Sequence, residues 1–105
     1  MAPADVHSKI PTPLFKIGAL IFTKEVNRLI GEGRLDPWPF FQRHARGDWG
    51  DVSDAIRRVN DGALGCDHLP LHSRYEVAPD ITLCIVTTEK RDTTVACLSH
   101  EHDDN

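Results

Sequence analysis

Side chains able to do chemistry crowd into one short stretch, residues 43–51, which reads Arg-His-Ala-Arg-Gly-Asp-Trp-Gly-Asp. Two glycines, two aspartates, a tryptophan, a histidine and two arginines stand there between two helical patterns. On a functional reading, His44, Asp48 and Asp51 present a polar cluster and Trp49 a rigid contact surface, since tryptophan and arginine are over-represented among binding hot spots. On a structural reading, Gly47 and Gly50 supply positive φ, both aspartates cap backbone N–H groups, and Trp49 plugs the edge of the core. The alternation of glycine with aspartate suits a tight helix–helix connection and favours the second reading. Capping and turn requirements alone account for the glycines and the aspartates and leave His44 and Trp49 unexplained. The candidate binding residues are therefore His44, Asp48, Trp49 and Asp51, joined by the solvent-facing Arg57 of the following helix. The Arg46-Gly47-Asp48 tripeptide carries no weight as an adhesion motif, because it arises too readily by chance.

Two other constellations in the sequence carry chemistry-capable residues. Cys66, His68 and His72 put soft ligands in one short loop, but a closed zinc site takes four ligands, usually paired closely in sequence. The fourth would have to come from His44 or Cys97, so no metal and no cofactor is expected. A phosphate-binding glycine loop, a nucleophile elbow, a zinc-protease helix and a paired-cysteine redox motif are all missing from the sequence. What remains for catalysis is a small toxin-type ribonuclease using His72, Arg74, Tyr75, Lys90 and Arg91 on a terminal β-meander. The formal net charge of −4 offers little attraction for phosphate, and Lys90-Arg91 reads as a solvated hairpin tip that protects an edge.

A chain of 105 residues, 40% hydrophobic and 27% charged, suits one ordinary globular domain. The longest apolar run, 19–22, is strand-sized rather than membrane-spanning. The N-terminus does not read as a signal peptide, and the expected location is the cytoplasm. The three cysteines have no paired spacing; in a reducing compartment Cys84 and Cys97 read as small buried apolar residues of β-patterned segments.

The elements that must position these residues follow from pattern. Residues 1–13 hold three prolines and read as a loose arm. Residues 14–22 alternate with period two, as a strand does, and Gly18 marks a bulge or a close backbone approach. Thr23 caps a short helix carrying Val26, Leu29 and Ile30 on one face. Asp36 as N-cap and Pro37 at the first helical position start a second helix, with Phe40, Phe41 and His44 on one face. Asp51 or Ser53 caps a third helix running to about Asn60, with apolar positions Val52, Ala55, Ile56 and Val59 and with Arg57 and Arg58 toward solvent. Three strands complete the order β-α-α-α-β-β-β, at 72–77, 81–88 and 93–98, the last two joined by a charged loop at 89–92. The expected fold is α+β, one domain over 14–99 with helices on one face of a small antiparallel sheet, followed by a polar tail at 100–105. The partner of the first strand is left open.

A set of residues spread along this order carries a resemblance: Thr23, Arg43-His44, Gly47 through Asp51, Asn60-Asp61, Ser73-x-Tyr75, Leu83-x-Ile85-Val86-Thr87 and Thr93-Thr94. Over roughly 18–98 the chain resembles a group of small bacterial proteins borne on plasmids, prophages and integrative elements, of plasmid-related type and without an assigned activity. It departs from them in a shorter final hairpin loop, in Pro37-Trp38-Pro39 and in its His/Asp tail. The resemblance implies a fold and a mobile-element context and no reaction. The resulting expectation is a non-enzymatic accessory protein that binds a host or plasmid protein, a defence component being one concrete version. Nucleic acid and membrane are disfavoured as partners. Trp38 and Trp49 are its exposed aromatic candidates.

Overall fold

A computed structural model of the chain describes residues 13–65 and 69–102. Among these the order is β1 (Ala19–Phe22), α1 (Lys24–Gly31), α2 (Trp38–Ala45), α3 (Asp54–Ala63), β2 (Leu71–Ala78), β3 (Ile81–Thr87), β4 (Thr93–Leu98) and α4 (Ser99–His102). The class is α+β, as the pattern predicts. The sheet is mixed rather than antiparallel. Its order is β1-β4-β3-β2; the meander β2-β3-β4 is antiparallel, and β1 adds in parallel to β4.

The reason for that addition is local. Both edges of β3 are taken by the meander, so β4 offers an open one, and the backbone of β1 closes on it. The Ala19 N–H donates to Asp92 O at 3.0 Å and the Thr23 N–H to Ala96 O at 3.1 Å. Gly18 (φ 71°) makes the approach feasible, because a Cβ there would lie 2.3 Å from the Asp92 carbonyl carbon and oxygen. The close backbone approach expected at Gly18 is thus present. The first strand is shorter than the period-two run. The Leu14 N–H is held by Ala45 O at the end of α2 (2.8 Å), and Phe15 and Ile17 reach the core from chain outside the sheet.

Along β2, β3 and β4 the core face carries Leu71, Ser73, Tyr75, Leu83, Ile85, Thr87, Thr94, Ala96 and Leu98, all buried. Helix α1 brings Val26 and Leu29 to this core, and α2 brings Phe41, His44 and Ala45. Thr23 caps α1 as anticipated, its Oγ1 accepting from the Val26 N–H at 3.4 Å. In α2 the N-cap is Pro37, one residue later than expected, and the Asp36 carboxylate still accepts from the Trp38 N–H at 3.2 Å. Ser53, not Asp51, caps α3, accepting from the Ile56 N–H at 3.2 Å.

Helix α3 departs furthest from its reading. It lies along the outer edge of β2 instead of joining α1 and α2, so only Asn60 and Ala63 are buried, while Ala55, Ile56 and Val59 stay exposed. It also runs past Asn60 to Ala63. The polar tail is tied back at its start, where Glu101 Oε1 accepts from the Leu98 N–H (2.9 Å) and the Thr23 hydroxyl (2.8 Å). Most of the expected arm, together with residues 103–105, lies outside the described residues.

Candidate functional site

His44 sits in the middle of a buried chain of hydroxyls. Its Nδ1 lies 2.5 Å from Ser73 Oγ and its Nε2 2.9 Å from Thr87 Oγ1. Thr87 Oγ1 continues to Thr94 Oγ1 at 2.8 Å, and the Thr94 hydroxyl donates to Ile17 O at 2.7 Å. The carbonyl of Ile17 can only accept, and each hydroxyl has one proton, so the direction propagates backwards. Thr94 spends its proton on Ile17, Thr87 donates to Thr94, the His44 Nε2–H donates to Thr87, and Ser73 donates to Nδ1. His44 is therefore held as the neutral Nε2–H tautomer. Burial, reinforced electrostatically by the neighbouring His72 and Arg91, pulls its pKa down to about 3. A solvent-sealed, neutral imidazole with both nitrogens engaged cannot serve as a surface ligand or shuttle protons. It cross-links α2, β2, β3, β4 and the segment entering β1.

Trp49 is equally consumed. Its indole is fully buried against Phe15 (ring centroids 6.2 Å) and against the edge of His44 (5.6 Å), and its Nε1–H donates to Asp61 Oδ1 at 2.9 Å. The expected contact surface at Trp49 is thus an interior plug. Trp38 is half-buried and tilted against Phe41, 5.9 Å between centroids.

The rest of the turn closes the edge of β2. The Arg74 N–H donates to Trp49 O (3.0 Å) and the Asp51 N–H to Arg74 O (2.6 Å), a one-residue parallel bridge centred on Gly50. Gly50 (φ 76°) is obligatory there, because a Cβ would lie 2.1 Å from Arg74 O. One residue pair further, the Asp51 carboxylate accepts from the Glu76 N–H at 3.4 Å. In the other direction the Asn60 carboxamide mimics a peptide, donating to His72 O at 2.7 Å and accepting from the His72 N–H at 3.2 Å. The outward N–H groups of His72, Arg74 and Glu76 are thereby all bonded, which removes the template that an open edge strand offers another chain. Asp48 is bound to Arg43 (2.7 Å), which holds its carboxyl below the usual carboxylate range, and Arg43 lies over the Tyr75 ring at 4.7 Å. Arg57 reaches back to Gly50 O at 3.0 Å instead of facing open solvent. Among the described residues no buried side-chain nitrogen or oxygen lacks a partner.

The ribonuclease candidates do not converge. Tyr75 points into the core, its hydroxyl donating to Asp48 O at 2.7 Å, and burial raises its pKa. Register puts His72 and Arg74 on the opposite face of the sheet. Lys90 is at the exposed tip of the β3–β4 hairpin. Arg91 is not solvated at that tip. It is buried with φ 58°, donating to Ala63 O (2.9 Å), Leu69 O (2.7 Å) and Thr88 O (3.0 Å), and so satisfies the C-terminal end of α3. Of the metal candidates, Cys66 and His68 lie outside the described residues, and among those described no three ligands come together. No helix is long and apolar enough to cross a membrane, again among the described residues.

Among the described residues, the face of α3 that sequence periodicity assigned to apolar packing is open to a ligand. Ala55, Ile56, Val59 and Asn60 form one wall of a groove of about 410 Å³, with Leu69, Pro70 and His72 opposite. Ile56 is 42% exposed, Val59 51% and Leu69 45%. A second recess of about 320 Å³ continues it along the outer face of the sheet, lined by Asp51, Val52, Ser53, Ile56, His72, Ser73, Arg74 and Cys84. Asp51 and Arg74 give this second recess charges of both signs. Such a surface suits an apolar segment of another molecule better than a small polar substrate, since its walls offer few donors or acceptors. Sequence reasoning missed it because an apolar stripe at helical spacing is ordinarily a buried one. Comparison of the chain with protein-family models, with curated proteins and with solved structures found no match to any of them.

Proposed function

We propose that this protein is a non-enzymatic interaction protein that docks an apolar segment of another protein into the groove between α3 and the outer face of β2. The carrying observation is the contiguous exposure of Ile56, Val59 and Leu69 beside Ala55 and Pro70. Clustered apolar side chains rimmed by polar ones mark interaction surfaces on soluble domains. Docking here is through side chains. Strand addition at β2 is blocked along His72 and Arg74, where Asn60 and the Trp49–Asp51 bridge already occupy the edge. Asp51 and Arg74 in the adjoining recess favour a partner whose own flanks carry both signs of charge. The mobile-element setting, with a host or plasmid protein as partner, rests on the sequence resemblance alone.

The test starts from capture by the tagged protein in host lysate, followed by purification of the captured partner and titration calorimetry. Ile56→Asp and Val59→Asp are expected to weaken binding by about tenfold or more, the scale of a groove anchor. Asp48→Ala should leave it within about twofold. Unchanged affinity in both groove variants would move the site elsewhere. Self-association through this face, seen by sedimentation and abolished by Val59→Asp, would replace the second protein by a second copy.

A further inference from the structure

Cys84 and Cys97 face one another across the β3–β4 pair, and neither is in a disulfide. Their register shares the phase of Thr88 and Thr93, whose N–H to O bond of 2.9 Å identifies the hydrogen-bonded class of pair. In that class the Cα atoms stand about 5.5 Å apart, inside the roughly 4.4–6.8 Å range that a disulfide spans. Both side chains project from the face opposite the core, since the alternating neighbours Leu83, Ile85, Ala96 and Leu98 fill the core face. Neither is sealed completely, at 5% and 6% exposure, and Cys84 lines the recess between α3 and the sheet.

We propose that Cys84 and Cys97 are a modification site: a cross-strand dithiol that closes to a reversible disulfide by exchange with a low-molecular-weight disulfide of the glutathione class. The Cys84 thiolate, reached through the recess, attacks one sulfur of the reagent; a bond forms to Cys84, the reagent's S–S bond breaks, and one small thiolate leaves. The Cys97 thiolate then attacks the Cys84 sulfur, forming the Cys84–Cys97 bond and expelling the second small thiolate. Two electrons pass from the protein to the reagent, and the two protons lost by the cysteines end on the departing thiols. Burial, with Cys84 and Glu101 nearby, holds the Cys97 thiol up at about 11, so its thiolate is scarce, and the second step draws its rate from being intramolecular. Cβ atoms in a hydrogen-bonded pair lie near 5.5 Å, against about 3.8 Å in a relaxed disulfide. Closure must therefore draw the strands together, and the resulting strain makes the bond easy to reduce again. This inference does not depend on the docking proposal.

The experiment uses the folded full-length chain carrying Cys66→Ser, so that only this pair can react. Samples equilibrated in graded ratios of reduced to oxidised glutathione are quenched, alkylated and weighed intact. The expected product is two hydrogens lighter, carries no glutathione, yields a cross-linked peptide joining residues 84 and 97, and reverts with dithiothreitol. Adding Cys97→Ser should trap a glutathione adduct on Cys84. The proposal is overturned by accumulation of a glutathione adduct in the Cys66→Ser chain without the lighter species. It is equally overturned if both thiols stay alkylatable at ratios that fully oxidise the same chain in denaturant.

Discussion

The turn at residues 47–51 and the exposed face of α3 exchange the roles that their sequences suggest. The turn is dense in chemistry-capable residues, yet its indole, glycines and aspartates are used up by backbone, core and the edge of β2. The α3 face is plain, an apolar stripe at helical spacing, yet Ile56 and Val59 stand in solvent. The difference teaches that the density of polar residues is a poor guide to function where backbone groups need partners. A sheet edge has its own demand for donors and acceptors, and in this chain the most decorated turn meets it.

The comparison is sharpest at Trp49. Trp49→Ala empties a fully buried site between Phe15 and His44 and should cost about 3–5 kcal/mol. Urea denaturation measures it; a loss under about 1 kcal/mol would mean that the turn is not part of the core. Arg91→Ala comes next. It strands the carbonyls of Ala63 and Leu69 and removes the positive charge beside the C-terminus of α3, for about 2–3 kcal/mol. Arg91→Lys should recover only part of this, because an ammonium cannot reproduce the guanidinium fork. Equal stability of Lys and Arg there would reduce the interaction to charge alone.

Acid should act through His44. Its folded pKa of about 3 lies below that of an unfolded histidine, about 6.5. The unfolded chain therefore binds one more proton through this window. The stability held by the neutral ring is complete above about pH 6.5 and is lost as pH falls toward about 3, on the order of 1 kcal/mol per pH unit. The carboxylates held low by their partners, Asp48 and Asp92 among them, lose their contribution only at more acid pH. Denaturation midpoints between pH 6.5 and 4.5 isolate the histidine, and a His44→Gln chain that keeps the same slope would break the assignment.

The class, the element order and the caps at Thr23 and Ser53 were legible because they depend on local pattern: period, cap chemistry and turn residues. The close approach at Gly18 was legible for the same reason. The parallel seat of β1 was not, since it depends on which edge is open after the meander has formed. Arg91 looked like a solvated loop tip, because nothing local says that the end of α3, 28 residues earlier, lies beneath it. His44 stood out as unexplained, and its explanation lies in Ser73, Thr87 and Thr94, three hydroxyls that only the sheet register brings together. For α3 the period predicts the helix but not which way its stripe faces. Asn60, a polar residue at the end of the apolar stripe, is what fixes the helix to the edge of β2 and turns the stripe outward.

That last point gives the smallest expected change and the one most able to separate the two regions. Ile56 and Val59 are about half exposed, so replacing either with aspartate removes little buried area and leaves no polar group unsatisfied. Each variant should unfold within about 0.5 kcal/mol of the native chain, in the range of ordinary surface substitutions. A loss of 2 kcal/mol or more would show the stripe to be part of the folded core and would withdraw the groove as a docking surface. If both variants keep their stability while Trp49→Ala loses most of its own, the division stands. The turn belongs to the fold, and the face of α3 is where a partner's side chains can still be buried.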